Sequence, residues 1–229
     1  MAPVRSGGVG TSVRRKEDDR FLRGRGEFVD DIKRFGMRDV AFLRSPVAHG
    51  RIRSIAKPAG ADGAVFVATD LAGVSPIRAD SGLSGFKSSL QPILAGDKVR
   101  YVGELIAACI GETRADAEDL ASAVALDIEP LPVVSDMLRA REPGAPLLHD
   151  HWGDNIFLET FVEGSADIDA LKKQAAASVT RTFRTARQSM APIEGRGVVA
   201  EWDRRLELLT LTTATRGSAP SVTSTSRFP

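Results

Sequence analysis

The chain has 229 residues, 42% of them hydrophobic and 27% charged, which suffices for one large domain or two small ones. Its 31 Lys and Arg against 30 Asp and Glu leave a formal net charge of +1, so charge nominates neither nucleic acid nor an anionic membrane as partner. Cys109 is the only cysteine, which excludes an intrachain disulfide and a thiolate cluster for zinc or iron–sulfur.

Residues 1–19 are rich in Gly, Ser and charge and predict an extended arm, its basic run Arg14-Arg15-Lys16 cancelled at once by Glu17-Asp18-Asp19. Neither a leader-like apolar segment nor a run long enough to span a bilayer is present, so a soluble, cytoplasmic protein is expected. Arg20 to Ile55 reads as the start of a compact mixed domain. Gly24 and Gly26 allow positive φ, Val40 to Leu43 is a short buried strand, and Ala48-His49-Gly50-Arg51 is a turn leading to Ile52 and Ile55. Ala64 to Ala68 predicts another strand. Asp70 to Gln91 lacks a sustained period and reads as a long surface loop with one helical turn near Asp70-Leu71.

Order returns with a strand over Val99 to Val102, a bend at Gly103 and a fully buried strand over Leu105 to Ile110, in which Cys109 is an inert small hydrophobe. Thr113 stands three residues before Asp116, as in a capping box with Asp in place of Glu. The spacing then predicts a helix from about Ala115 to Leu126 that buries Ala117, Leu120, Ala121 and Val124. Pro130 and Pro132 stop the chain soon after, so Leu126 to Ile128 should be a short strand returning beside the previous one. Ser135 to Asp154 is a linker. Beyond it, strands are expected at Ile156 to Leu158 and Phe161-Val162, a helix over Asp167 to Ala177, and a long alternating strand over Val179 to Arg187. Val198 to Trp202 and Leu206 to Thr213 predict a hairpin turning at Arg204-Arg205.

Candidate chemistry is sparse. His149 and His151 form an H-x-H, but no further ligand-type spacing supports a metal, and imidazoles meeting water or backbone explain the pair better. Glu194 and Glu201 could in principle do acid–base work, yet their separation fixes no geometry and a surface or salt-bridged role is preferred. His49 is explained by a turn hydrogen bond to local backbone. Gly24-Arg25-Gly26 is no phosphate loop, because neither a helix start nor Lys-Ser/Thr follows at the required spacing. No catalytic, cofactor-binding or metal-binding residue is assigned.

Several stretches resemble one family in order and spacing. Arg20-Phe21, Gly24-Arg25-Gly26, Phe28-Val29-Asp30-Asp31-Ile32, Arg44-Ser45-Pro46 and Ala48-His49-Gly50-Arg51-Ile52 resemble the opening of the molybdenum-cofactor-binding large subunit of the xanthine dehydrogenase, aldehyde oxidase and carbon monoxide dehydrogenase family. Asp97 to Glu104 and Leu131-Pro132-Val133-Val134 resemble later signatures of its hammerhead domain, with Leu105 where the family often has proline. Thr182-Phe183-Arg184, Ala191-Pro192-Ile193-Glu194 and Arg196 to Asp203 resemble the start of its molybdenum-cofactor domain.

The resemblance implies an α+β fold: a flexible arm (1–19), an a/b hammerhead domain (20–135), a linker (136–154) and an incomplete α/β molybdenum-cofactor-binding domain (155–213). It stops there. Arg216 stands where the family has a glutamine, and the Ser/Thr-rich tail (214–229) is expected to be disordered, as after a frameshift or truncation. The resemblance implies an oxidoreductase working with iron–sulfur and flavin subunits or domains. The family's Gly-rich loop and C-terminal glutamate base are missing from this sequence, so no molybdenum cofactor is expected on the chain alone. A non-catalytic docking module of hammerhead fold is the alternative.

Overall fold

The computed structural model describes residues 15–160, 167–186, 188–189, 191–192 and 194–214. In chain order the elements begin with α1 (Asp18–Leu22), β1 (Asp39–Arg44), β2 (Gly50–Ala56), β3 (Val65–Val67), β4 (Ile77–Arg78), β5 (Leu90–Gln91) and β6 (Lys98–Val99). They continue with β7 (Leu105–Gly111), α2 (Arg114–Ala123), β8 (Ala125–Pro130), α3 (Ile168–Gln174), β9 (Val198–Asp203) and β10 (Leu208–Thr213). Packing divides the chain into two units: Gly36–Thr180, and the described residues up to Phe35 together with those from Arg181 onwards. The packing boundaries fall at Phe35/Gly36 and Thr180/Arg181.

In the unit Gly36–Thr180, β7 is the centre. It pairs antiparallel with β1 on one edge and β3 on the other. Ala107 and Cys109 join Ala61, Val65, Val67 and Val124 in one apolar cluster, against which Leu120 and Ala121 of α2 pack. Ile106, on the opposite side of the pleat, joins Ala95 and Val99 in a second cluster lined by Ile52, Leu126 and Ile128. A strand buried on both faces must be apolar throughout, which is why Leu105 to Ile110 lacks alternation.

The second sheet is β6-β2-β8, all antiparallel. Here β8 does not return beside β7 as expected: β1 and β3 already occupy both edges of β7, so β8 pairs with β2. Tyr101 and Val102 leave the predicted strand because Glu104 folds back to accept the Arg100 N–H, with Gly103 at φ +89° completing the turn.

Helix α2 starts as predicted. The Thr113 hydroxyl accepts the Asp116 N–H at 3.2 Å and the Asp116 carboxylate accepts the Thr113 N–H at 3.0 Å. Gly111 makes the close seat possible: a Cβ there would collide with Ala117 N and lie 2.8 Å from Thr113 O. The helix ends at Ala123 rather than Leu126, because Val124 adopts φ −68°, ψ 120° and turns its β-branched side chain into the core.

Further along, Ile156 to Leu158 are not a strand, Phe161-Val162 lie outside the described residues, and α3 is capped by Asp167, whose carboxylate accepts the Asp169 and Ala170 N–H groups. Residues 179–186 form no strand and are exposed. Their alternation has no neighbouring strand to pair with among the described residues, and a strand exists only in a ladder.

The other unit is built on the predicted hairpin. β9 and β10 pair from Val198↔Thr213 to Asp203↔Leu208, and Asp203 closes the turn by accepting the Arg205 and Leu206 N–H groups at 2.8 and 3.0 Å. The segment Phe28 to Arg34 belongs here: the Val29 N–H donates to Glu194 Oε1 at 3.0 Å, and Arg34 faces Glu201 at 4.0 Å. Gly24 takes φ +66° as expected, whereas Gly26 does not and lies against the Phe21 ring. The expected arm is described only from Arg15, and the tail beyond Ala214 lies outside the described residues.

Candidate functional site

A polar cluster lies within the unit Gly36–Thr180, a seam where Asp150 of the segment 148–155 pairs with Lys98 of β6. His49 sits beneath, 4% exposed, in the turn before β2. Its Nδ1 donates to Pro132 O at 2.7 Å, and its own carbonyl accepts the Leu131 N–H at 3.0 Å. A carbonyl can only accept, so Nδ1 carries the proton, and Nε2 is buried without a partner. The expected turn bond to backbone is present, but it spans 83 residues rather than a local loop.

Lys98 of β6, its side chain 11% exposed, pairs with Asp150 at 2.9 Å. Arg100 donates to the Lys98 carbonyl at 3.0 Å and to Glu104 Oε1 at 3.3 Å, and Glu104 is 3% exposed. Lys87 donates to Asp154 Oδ1 at 2.6 Å and to the Trp152 carbonyl at 3.4 Å. Asn155 closes the segment on itself, accepting the Leu148 N–H at 3.2 Å and donating to Ala140 O and Pro146 O. Every cation in the seam therefore faces a carboxylate.

The histidines stack on one indole. The His149 ring centroid lies 4.2 Å from that of Trp152, and His151 meets both rings edge-on. Burial, with Arg100, His151 and Lys98 adding to it, holds the His149 imidazole below its ordinary range. The Lys98 hydrogen bond lowers Asp150, and the Lys87 hydrogen bond lowers Asp154.

His149 and His151 thus lie together with Asp150, and among the described residues no group of three or more His, Cys, Asp or Glu is arranged to hold a metal. Glu194 and Glu201 are both spent on the Phe28–Arg34 segment in the other unit. Cys109 is fully buried and burial pushes its thiol up. Glu104 lies in the Asp97 to Glu104 stretch that carries the resemblance, but nothing local names Arg100 as its partner, and no sequence signal marks the Lys87–Asp154 pair, since partners are set by tertiary approach. Only Asn155, a turn-type residue beside Gly153-Asp154, carries a local signal.

Comparison with known proteins agrees with this architecture. Residues 23–132 match the aldehyde oxidase and xanthine dehydrogenase a/b hammerhead domain. Nicotine 6-hydroxylase large subunit from Paenarthrobacter nicotinovorans is 32% identical over 222 residues, which cover 93% of this chain and 27% of that protein. The carbon monoxide dehydrogenase large chain of Hydrogenophaga pseudoflava is 33% identical over 208 residues, covering 82% of this chain and 25% of that one. Among solved structures, quinoline 2-oxidoreductase from Pseudomonas putida 86 superposes with a TM-score of 0.83 at 35% identity, over 93% of this chain and 27% of that one.

The fold is that of a hammerhead domain with the residues that come after it in molybdenum hydroxylase large subunits. The chain belongs to the aldehyde oxidase and xanthine dehydrogenase family, and it spans about a quarter of the length of the large subunits it matches.

Proposed function

We propose that this chain provides the hammerhead domain (20–135), the connecting segment (136–154) and the opening of the molybdenum-cofactor domain (155–213) of a cytoplasmic molybdenum hydroxylase large subunit, and that it holds no cofactor by itself. The observation that carries the reading is the likeness over 93% of the chain to a large subunit of which it covers 27%. The described residues do not fit a molybdenum cofactor. Their one buried unpartnered polar atom is His49 Nε2, a single nitrogen beneath the seam and no cradle, and the carboxylates around it are engaged with Lys98 and Arg100. In the whole enzyme, iron–sulfur and flavin subunits would carry electrons away from a centre built by residues beyond those described.

A second reading, a non-catalytic docking module, is favoured by the hairpin. Val198, Leu209 and Leu211 share one face of the β9–β10 ladder and are exposed. An apolar face of this kind is what a partner or a further part of the subunit covers.

The test is metal content and turnover. The purified chain is expected to contain no stoichiometric molybdenum and to pass no electrons to a dye when offered an aldehyde, a purine or carbon monoxide. Stoichiometric molybdenum or dye reduction would overturn the proposal.

A further inference from the structure

We propose that one face of the β9–β10 hairpin, formed by Val198, Ala200, Trp202, Leu209, Leu211 and Thr213, is the docking surface for a polypeptide that carries the rest of the molybdenum-cofactor domain and binds in trans. The proposal rests on the reading of this chain as the opening of a large subunit, and it names the partner and the side chains that hold it.

Cross-strand neighbours share a face of a ladder, so the register sorts the hairpin into two sides. Leu209↔Trp202, Leu211↔Ala200 and Thr213↔Val198 lie on one, and Leu208↔Asp203, Thr210↔Glu201 and Thr212↔Val199 on the other. The second side is the covered one. Val29 packs so close that a Cβ on Gly197, just before β9, would lie 3.0 Å from it; Arg34 faces Glu201, and Val199 and Asp203 are half-buried. The first side carries no charged side chain, yet Val198 is 62% exposed, Trp202 45%, Leu209 43% and Leu211 57%. A finished domain has the opposite arrangement: the apolar face of an alternating ladder turns inward and its carboxylates meet water.

Size chooses the occupant. Six residues at a rise of about 3.3 Å, across two strands about 4.8 Å apart, give a footprint of roughly 200 Å². A stable interface buries ~800 Å² per partner, so two copies of this chain joined by that face alone would bury too little. An occupant that also extends the ladder adds the length of β10, whose only strand partner among the described residues is β9. This chain spans about a quarter of the large subunits it matches, so a polypeptide with their remaining length is large enough to do both.

The test is co-expression of the full chain with the nicotine 6-hydroxylase large subunit of Paenarthrobacter nicotinovorans, shortened by the 27% that this chain covers. The two should co-purify as an equimolar complex. Leu209→Asp combined with Leu211→Asp should weaken it about tenfold or more, because docking would bury unpaired carboxylates. Thr210→Lys, on the covered side opposite Glu201, should change it about twofold or less. In hydrogen exchange of the wild type, amides of Leu208–Thr213 should gain about tenfold or more protection in the complex while those of Leu105–Gly111 gain none. That measurement decides if the double variant loses its hairpin. No complex, a complex indifferent to the double variant, or no gain at β10 would overturn the proposal. So would a dimer of this chain that Leu211→Asp dissolves, since a second copy would then occupy the face. None of these results touches the reading beneath it, which the molybdenum content and dye reduction of the chain alone decide.

Discussion

The Glu194 carboxylate accepts the Val29 N–H at 3.0 Å across 165 residues of sequence. That one bond ties the Phe28-Val29-Asp30-Asp31 turn to the hairpin, and Arg34–Glu201 at 4.0 Å adds a weaker, exposed pair. Two carboxylates that resembled candidate acid–base groups thus hold a chain segment in place.

Glu194→Ala should weaken this attachment by about 1–2 kcal/mol, toward the low end for a hydrogen bond to a charged acceptor because the bond is only part-buried. Exchange of the Val29 amide should quicken correspondingly, and Glu194→Gln, which keeps an acceptor oxygen, should restore part of the protection. No change at Val29 in the alanine variant would show that the bond contributes nothing.

The seat of α2 on β7 gives a second test. Gly111→Ala should cost on the order of 1–3 kcal/mol, because its Cβ meets the backbone of Thr113, Asp116 and Ala117 rather than a side chain that can move aside. Leu120→Ala should cost about 2 kcal/mol, the lower end for such truncations, since Leu120 is only partly buried against the cluster. Urea unfolding measures both, and a neutral Gly111→Ala would mean the helix does not approach so closely.

Much of the fold was legible where its signals are local. The Thr113/Asp116 cap, the unbroken apolar run of β7 and the Arg204-Arg205 turn each announce themselves within a few residues. Pairing was not legible, because which edge a strand finds depends on what already occupies it. Ile128 lies opposite Ile52 since both edges of β7 are taken. The alternation of Val179 to Arg184 resembled a strand, but a pattern cannot supply the neighbour that makes a ladder. The seam was hidden for the same reason: Lys98 and Asp150 are 52 residues apart, and nothing local to either names the other as its partner.

Acid should loosen the hammerhead through Asp70. Its carboxylate accepts the Val67 N–H at 2.7 Å and faces Lys57 at 2.9 Å, which together hold it below 3.8. A lowered carboxylate stabilises the fold above its ordinary value and stops doing so as pH falls below it. Urea midpoints of the wild type should therefore drop between neutral pH and pH about 3, and Asp70→Asn should show a smaller drop. Equal drops would remove Asp70 from the account.

The central claim is that the hammerhead completes its own core whereas the hairpin is the opening of something larger. β7 is paired on both edges and buried on both faces, while every residue of β10 is exposed and β10 pairs with β9 alone among the described residues. Native-state hydrogen exchange of the whole chain measures this directly. Amides of Leu105–Gly111 should outlast those of Val198–Asp203 and Leu208–Thr213 by orders of magnitude, with the first protease cuts in the exposed stretch 176–186. Equal protection of the two units would contradict the claim, because the hairpin would then have a complete core of its own.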